Sequence, residues 1–182
     1  MLVSLGARNQ VDELVDLLAA CHRRIRHHVV LARRLVVRGA DRPIDDVCAT
    51  AAQIRRYFTV ALPLHVADED ETIAPRLAAL GNPVAAALNT MAVDHVNHQH
   101  LIDRLVELCG EIEQSPAQLK RINGQLSRLV EVLATELAAH LELEERVVFP
   151  ALRALGEAQR ANILAAMRQR RQSGHEPSPA PR

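Results

Sequence analysis

The chain contains an internal repeat, in which residues 64–81 align with residues 139–156 at an offset of 75 positions. The aligned pairs are His65 with His140, Glu69 with Glu144, Asp70 with Glu145, Pro75 with Pro150 and Gly81 with Gly156. A weaker match at an offset of 73 positions aligns His22 with His95. Two similar halves predict two copies of one folding unit, with a functional site shared between them.

Apolar residues recur three or four positions apart rather than in alternation, a period that is typical of amphipathic helices. The core is predicted to be aliphatic, because the 182 residues include no Trp, one Tyr and two Phe. We therefore expect an all-α protein. The predicted helices cover residues 11–37, 44–80, 84–112, 116–150 and 157–171. Four long helices joined by short loops are most simply an up-down-up-down four-helix bundle.

The ends of the predicted helices follow from residues that start or interrupt helices. Ser115 is the predicted N-cap of the fourth helix, with a proline at its first position. Pro63 and Pro75 lie inside the second helix, so a kink or a short break is expected near each. We expect one bundle domain over residues 1–171, including a short C-terminal helix. Residues 172–182 have too few apolar side chains to order themselves and predict a disordered tail.

Charge and hydropathy exclude several classes of protein. The 22 Lys and Arg balance the 22 Asp and Glu, and no cationic block is flanked by aromatics, so nucleic acid is not an expected partner. Each long apolar stretch ends well before the roughly 18 residues that a bilayer crossing needs, and the first ten residues do not resemble a signal peptide. We expect a cytoplasmic protein without a membrane partner. Cys21, Cys48 and Cys109 are odd in number and far apart, which favours reduced thiols.

Each H-x-x-x-E segment places a histidine and a glutamate on one helix face, because residues four positions apart lie one turn above each other. A neutral imidazole suits first-row transition metals, and a carboxylate can bridge two metal ions. Two such segments and a lone histidine from each preceding helix would supply four nitrogens and two carboxylates to a dinuclear centre. The candidate ligands are His22, His65, Glu69, His95, His140 and Glu144.

These residues resemble those of the hemerythrin-like, or HHE cation-binding, family, and the resemblance covers about residues 14–171. The motifs that carry it are Cys21-His22-Arg23-Arg24-Ile25-Arg26, His65-x-x-x-Glu69 with Ala74-Pro75, Asp94-His95, and His140-x-x-x-Glu144-Glu145 with Val148-Phe149-Pro150. The resemblance implies a four-helix bundle that holds two iron ions with an oxo or hydroxo bridge. The implied terminal ligands are His22, His65, His95 and His140, and the implied bridging ligands are Glu69 and Glu144.

The chain departs from the oxygen-carrying hemerythrins. Those carriers have a fifth histidine four residues after the ligand of the third helix, where this chain has Gln99. Reversible dioxygen carriage is therefore not expected. His98 remains an alternative fifth ligand, because it lies three positions after His95 on nearly the same helix face. The spacing in the carriers favours Glu145 as the bridging acid of the fourth helix, whereas the internal repeat favours Glu144.

The remaining polar residues have simpler interpretations. The histidines expected at or near the surface, because basic or polar residues surround them, are His27, His28, His98 and His100. The acids that flank Glu69 and Glu144 are expected on solvated faces. Tyr57 lies two turns before His65 and is expected to pack, with hydrogen bonding or ligation at the site as the alternative. His175 lies in the tail and is not expected to contribute to the site.

Three classes of function are compatible with such a site. The favoured class is a diiron protein that reacts with dioxygen or hydrogen peroxide, which includes peroxidase-like or catalase-like turnover. The alternative class senses, binds or stores iron, dioxygen or nitric oxide without turnover. The third class is a structural bundle that holds zinc or no metal. Both a monomer and a homodimer agree with the sequence.

Overall fold

The computed structural model describes residues 10–39 and 43–173, and these residues form helices and turns without a strand. The helices are α1 (Gln10–Arg38), α2 (residues 44–80), α3 (Val84–Gln114), α4 (residues 118–154) and α5 (Glu157–Ser173). α1 and α3 each pack against both α2 and α4, so the four long helices form a closed ring. The predicted all-α bundle is confirmed. No helix among the described residues is long and apolar enough to cross a membrane. The tail beyond Ser173, with His175, lies outside the described residues.

α4 begins and ends later than the sequence pattern indicates. Ser115 is extended (φ −149°, ψ 90°), and Ala117 precedes the first residue of α4 without a side-chain cap. The Ser115 carbonyl accepts a hydrogen bond from the Gln118 amide, so a tight backbone turn starts the helix. The prediction of Ser115 as the N-cap is therefore wrong. At its other end, α4 continues past Pro150 to Ala154.

Three π-helical turns interrupt the regular geometry of α2 and α4. They are Tyr57–Ala61 and Asp68–Ile73 in α2, and Glu144–Val148 in α4. A proline follows two residues after each turn, and these prolines are Pro63, Pro75 and Pro150. Proline has no amide hydrogen and crowds the carbonyl four residues before it, and one extra residue in the preceding turn relieves this crowding. The kinks or breaks expected in α2 are therefore π-helical turns within a continuous helix.

Two apolar clusters fill the bundle on either side of a layer of buried polar side chains. One cluster contains Ile25, Ile54, Phe58, Leu105, Leu108 and Leu126. The other contains Leu14, Leu18, Ile73, Leu77, Leu152 and Met167, and so includes a residue of α5. The polar layer includes His22, His65, Glu69, His140 and Glu144. Apolar burial is worth about 1.5–3 kcal/mol for each large side chain, and it holds the polar layer in the interior.

The turn between α2 and α3 depends on Gly81. Its φ of 70° and ψ of −168° lie in a region that is essentially restricted to glycine. The chain then enters α3 through a cis peptide bond between Asn82 and Pro83.

The three cysteines are free thiols, as the sequence predicts. Cys21 and Cys109 are buried, and Cys48 is half-buried. Burial raises the pKa of the Cys109 thiol to about 12. This thiol is therefore protonated near neutral pH and a poor nucleophile.

Candidate metal centre

All four long helices contribute to one buried cluster of histidine and glutamate side chains. α1 provides His22, α2 provides His65 and Glu69, α3 provides His95, and α4 provides His140 and Glu144. Five of the six residues are at most 4% exposed, and the His95 side chain is 8% exposed. The structure thus brings together all six residues that the sequence pattern selects as candidate ligands.

Glu69 lies between one histidine of its own helix and one histidine of α3. Its Oε1 lies 3.1 Å from Nε2 of His65, and its Oε2 lies 3.3 Å from Nε2 of His95. The two oxygens of the Glu69 carboxylate therefore face two different groups of ligand atoms.

Glu144 has the equivalent position in the other half of the repeat. Its Oε1 lies 2.8 Å from Nε2 of His140, and its Oε2 lies 3.0 Å from Nε2 of His22. The ligand atoms of His22, His65, Glu69 and Glu144 lie within 4.8 Å of one another, as do those of Glu69, His95 and His140. Each glutamate thus has one oxygen in each of two adjacent positions, the arrangement required of a carboxylate that bridges two cations.

Two of the π-helical turns carry the glutamates, and we call Asp68–Ile73 the Glu69 turn and Glu144–Val148 the Glu144 turn. The paired histidine of each glutamate lies four residues earlier in regular α-helix, so the pair shares one face. The extra residue in each turn rotates the residues that follow, so that Ile73 and Val148 lie in the apolar core. Such turns occur frequently at functional sites because they re-aim side chains without breaking the helix.

Two further carboxylates orient the lone histidines of α1 and α3. Nδ1 of His22 donates to Oε1 of Glu145 at 2.8 Å, and Nδ1 of His95 donates to Oδ1 of Asp70 at 2.9 Å. Asp70 and Glu145 are equivalent in the repeat, each directly after a cluster glutamate. With a proton kept on Nδ1, each of these histidines would offer Nε2 to a cation, as in metal-bound histidines. Glu145, the alternative bridging acid, therefore lies behind His22.

The two halves of the site differ at one supporting residue. Nδ1 of His140 donates to Oδ2 of Asp94 at 3.2 Å, whereas Nδ1 of His65 is buried and has no hydrogen-bond partner within residues 10–39 and 43–173. Asp94 aligns with Cys21 in the weaker repeat. The Cys21 thiol accepts a hydrogen bond from Arg24 at 3.1 Å, and sulfur is a weaker acceptor than a carboxylate. The site is therefore pseudo-symmetric, and its His65 half has one support fewer.

Burial and proximity set the charges of the cluster. Burial lowers the pKa of His65 to about 3, so its imidazole is neutral. Burial and the charge of Glu144 raise the pKa of Glu69 well above 4.5. Burial also opposes ionisation of Glu144, but the imidazoles of His140 and His22 beside its carboxylate outweigh that effect and hold its pKa well below 4.5. Ligand oxygens of Glu69 and Glu144 lie within 4.8 Å of each other. Two carboxylates at this distance do not both ionise unless positive charge lies beside them.

Several polar atoms of the cluster are buried without a hydrogen-bond partner in the part of the chain that the structure describes. They are Nδ1 and Nε2 of His65, both carboxylate oxygens of Glu69, and Oε1 of Glu144. An unpaired buried polar group costs about 1–3 kcal/mol. Imidazole nitrogens with carboxylate oxygens suit first-row transition metals. The residues therefore fit a pair of such cations, which would occupy the unpaired ligand atoms and compensate the carboxylate charge.

Gln99 and His98 lie outside the cluster. Gln99 is exposed, and its amide donates to Asp103 at 2.7 Å. His98 is buried, with its ring centroid 5.2 Å from that of His140 and its Nε2 3.8 Å from Glu136. The expected surface position of His98 is therefore wrong, because α4 covers that side of α3.

Other polar residues divide between the surface and the interior. Tyr57 packs, as expected, with its ring stacked on that of His28 at a centroid distance of 3.8 Å. This stacking buries His28, so its expected surface position is wrong. Asp68 is fully buried against α5, so its expected position on a solvated face is wrong. His27 and His100 are exposed, as the sequence predicts.

A cavity of about 230 Å³ adjoins the cluster and is lined by residues of all four long helices. Cluster residues that line it are His65, Glu69, His95 and His140. Its apolar wall consists of Ile25, Phe58, Leu62, Ile102, Leu137 and Leu141, among others. Gln99 and Glu71, which are exposed, also line it. Since a water molecule takes up about 30 Å³ in the liquid, the cavity has room for a molecule the size of dioxygen or hydrogen peroxide.

The sequence pattern predicts the residues of the cluster but not two of the carboxylates that support its histidines, Asp70 and Asp94. The pairing of Asp70 with Glu145 in the repeat is a signal that points to Asp70. Asp94 has an aligned cysteine instead, so the repeat contains no equivalent signal for it.

The chain matches the family model described as the hemerythrin HHE cation binding domain over residues 13–152, with an overlapping match over residues 86–176. The first match contains all six residues of the cluster. Similar proteins include the uncharacterized protein Rv2633c of Mycobacterium tuberculosis and the uncharacterized protein Mb2666c of Mycobacterium bovis. Each is 26% identical to this chain over 129 residues, which cover 69% of this chain and 67% of the relative.

Proposed function

We propose that this chain, which belongs to the hemerythrin HHE cation-binding domain family, binds two iron ions and reacts with dioxygen or hydrogen peroxide. The proposed ligands are His22, His65, Glu69, His95, His140 and Glu144. The observation that supports this most strongly is that each glutamate has one oxygen beside each pair of histidines. A carboxylate in this position can bridge two cations and offset their charge.

The donor set favours a reactive centre over a closed structural one. Two imidazoles and two carboxylate oxygens face each proposed ion position, which is fewer than the roughly six donors of an octahedral ion. Bound ferrous iron would supply the electrons that reduce dioxygen or hydrogen peroxide. Gln99 offers no imidazole where the oxygen carriers have their fifth histidine, which supports reaction rather than reversible carriage.

The residues around the centre control which molecules enter the cavity, how much water reaches the cluster and how the ligands are oriented. Phe58, Leu62 and Ile102 give the cavity an apolar wall, which admits a small uncharged molecule and limits bulk water beside the cluster. Asp70 and Glu145 hold the Nδ1 protons of their histidines and keep the opposite nitrogens aimed at the ion positions. The chain thereby fixes ligand orientation before any cation binds.

An optical experiment tests this function. The iron-loaded protein is reduced with dithionite without oxygen and is then exposed to hydrogen peroxide or to dioxygen. We expect the ferric absorption to return in both cases, and after exposure to dioxygen we expect it to persist when the solution is purged. The zinc-loaded protein is the control, since zinc has no redox chemistry. An oxygenated complex that gives up its dioxygen unchanged would contradict the proposed reaction and support a binding or sensing function.

A further inference from the structure

Asp68 is a completely buried carboxylate that the C-terminal helix holds. Its relative exposure is 0%. Arg170 donates from Nη1 to Oδ1 of Asp68, and Nη2 of Arg171 lies 2.6 Å from Oδ2. Nη2 of Arg170 also donates to Glu71 at 2.8 Å and to the Thr72 hydroxyl at 3.1 Å. Two arginines of α5 therefore contact three residues of the Glu69 turn.

Glu69 depends on its turn because, among the described residues, no imidazole or guanidinium donates a hydrogen bond to its carboxylate. Both of its oxygens are buried and neither accepts a hydrogen bond from a described residue, whereas Glu144 accepts a hydrogen bond from His22 at 3.0 Å. Glu69 directly follows Asp68 in the chain. Contacts that fix Asp68 therefore fix the backbone from which Glu69 projects.

Among the described residues, the other half of the repeat shows no equivalent set of contacts. The positions that align with Asp68, Glu71 and Thr72 are Leu143, Arg146 and Val147. Leu143 packs against the apolar cluster at this end of the bundle. A well-packed apolar residue is often as stabilising as a buried ion pair, so stability alone does not explain the buried charges in the Glu69 half.

We propose that Arg170 and Arg171 are positioning residues for the metal centre, which hold the Glu69 turn so that both oxygens of Glu69 face the ion positions before a cation binds. This inference rests on the proposed binding of two cations. Glu69 has one oxygen beside each ion position. Loosening its turn therefore weakens the binding of both ions.

Replacing Arg170 tests the inference. Arg170→Gln removes charged contacts to Asp68 and Glu71, and the affinity of the full chain for both Co²⁺ ions should fall about tenfold. The measurement is competition with a chromophoric chelator, together with the Co²⁺ absorption spectrum. Arg168→Gln is the matched control, because Arg168 lies on the same helix and pairs with the exposed Glu13. We expect the wild-type affinity and spectrum in this control.

Hydrogen exchange of the metal-free protein separates positioning from general destabilisation. Arg170→Gln should speed amide exchange in the Glu69 turn. The exchange rate in the Glu144 turn should stay at its wild-type value. Asp68→Asn keeps the side-chain shape and should act in the same direction, more weakly, and it replaces Arg170→Gln if that variant does not fold.

Two outcomes are distinguished by these measurements. A folded variant that is less stable to urea, yet keeps the wild-type exchange in the Glu69 turn and the wild-type Co²⁺ affinity, would overturn the positioning role. A wild-type chain that binds no Co²⁺ would contradict the proposed function instead. In that case, the hydrogen exchange of Arg170→Gln still tests the positioning role. Exchange in the Glu69 turn at the wild-type rate overturns that role, and faster exchange confined to that turn supports it.

Discussion

Protons on the buried side chains compete with a cation for the same ligand atoms. Burial and the charge of Glu144 raise the pKa of Glu69 well above 4.5. Burial acts to lower the pKa of His140, but the carboxylates of Glu144 and Asp94 outweigh it, and the pKa lies above 6.5. His65, with a pKa lowered to about 3 by burial, holds no second proton near neutral pH. At mildly acidic pH, a cation must therefore displace protons from Glu69 and His140.

We expect the affinity for Co²⁺ to rise with pH between about pH 5.5 and 8, because the metal-free site binds protons that the loaded site does not. Each displaced proton contributes about a tenfold gain per pH unit below the pKa of its group. Chelator competition at a series of pH values, corrected for protonation of the chelator, measures this slope. His100→Gln removes an exposed histidine and should leave the slope unchanged. A pH-independent affinity would argue against these protonation states.

The sequence predicts some single-residue contacts and not others. His65 and Glu69 are predictable as neighbours, because a spacing of four places them on one helix face. The hydrogen bond between His95 and Asp70 joins two helices, so it depends on packing that no local pattern contains. His98 has polar neighbours in the sequence but becomes buried when α4 packs against α3. The spacing of residues in the sequence therefore predicts the candidate ligands. It does not predict several of the side chains that hydrogen-bond to those ligands.

At the scale of the helices, prolines mark where α2 and α4 depart from regular geometry. The sequence predicts a disturbance near Pro63 and Pro75, because proline cannot donate to the helical hydrogen-bond ladder. It does not predict a π-helical turn, because that outcome requires the following residues, such as Ile73, to find places in the core. The type of disturbance is therefore decided by packing, while its location is decided by the proline.

Gly81 gives a prediction for the turn between α2 and α3. Gly81→Ala should lower the free energy of unfolding by about 1–3 kcal/mol, because its backbone conformation is disfavoured for any side chain. An added Cβ would meet no atom of the described residues within 4 Å, so we expect the effect to come from the backbone. Urea unfolding of the metal-free protein measures it.

Gly110→Ala is the matched control for this turn. Gly110 lies inside α3, and an added Cβ would meet Arg55 Cδ at 4.0 Å. This substitution should raise the free energy of unfolding by about 0.5–1 kcal/mol, because alanine favours helix over glycine. Wild-type stability of Gly81→Ala would show that the turn does not require glycine.

At the scale of the whole molecule, two apolar clusters enclose the layer that contains the proposed ligands. The four-helix architecture is predictable because its aliphatic periodicity runs along each helix. The packing of α5 is not, because a short amphipathic helix can cover several faces of a bundle. That packing decides the burial of Asp68, which the sequence indicates as a surface acid. Because the layer between the clusters contains the proposed ligands, we expect cation binding to stabilise this part of the fold most.

The iron content of the purified, iron-loaded chain tests the proposed dinuclear centre most directly. We expect about two iron ions per chain in the wild type, and the same content in His98→Ala and Gln99→Ala, whose side chains lie outside the cluster. His65→Ala, His95→Ala and His140→Ala should each lose iron, and the melting temperature should fall with the loss because cation binding is coupled to folding. Wild-type iron content in both His65→Ala and His140→Ala would contradict the proposed centre.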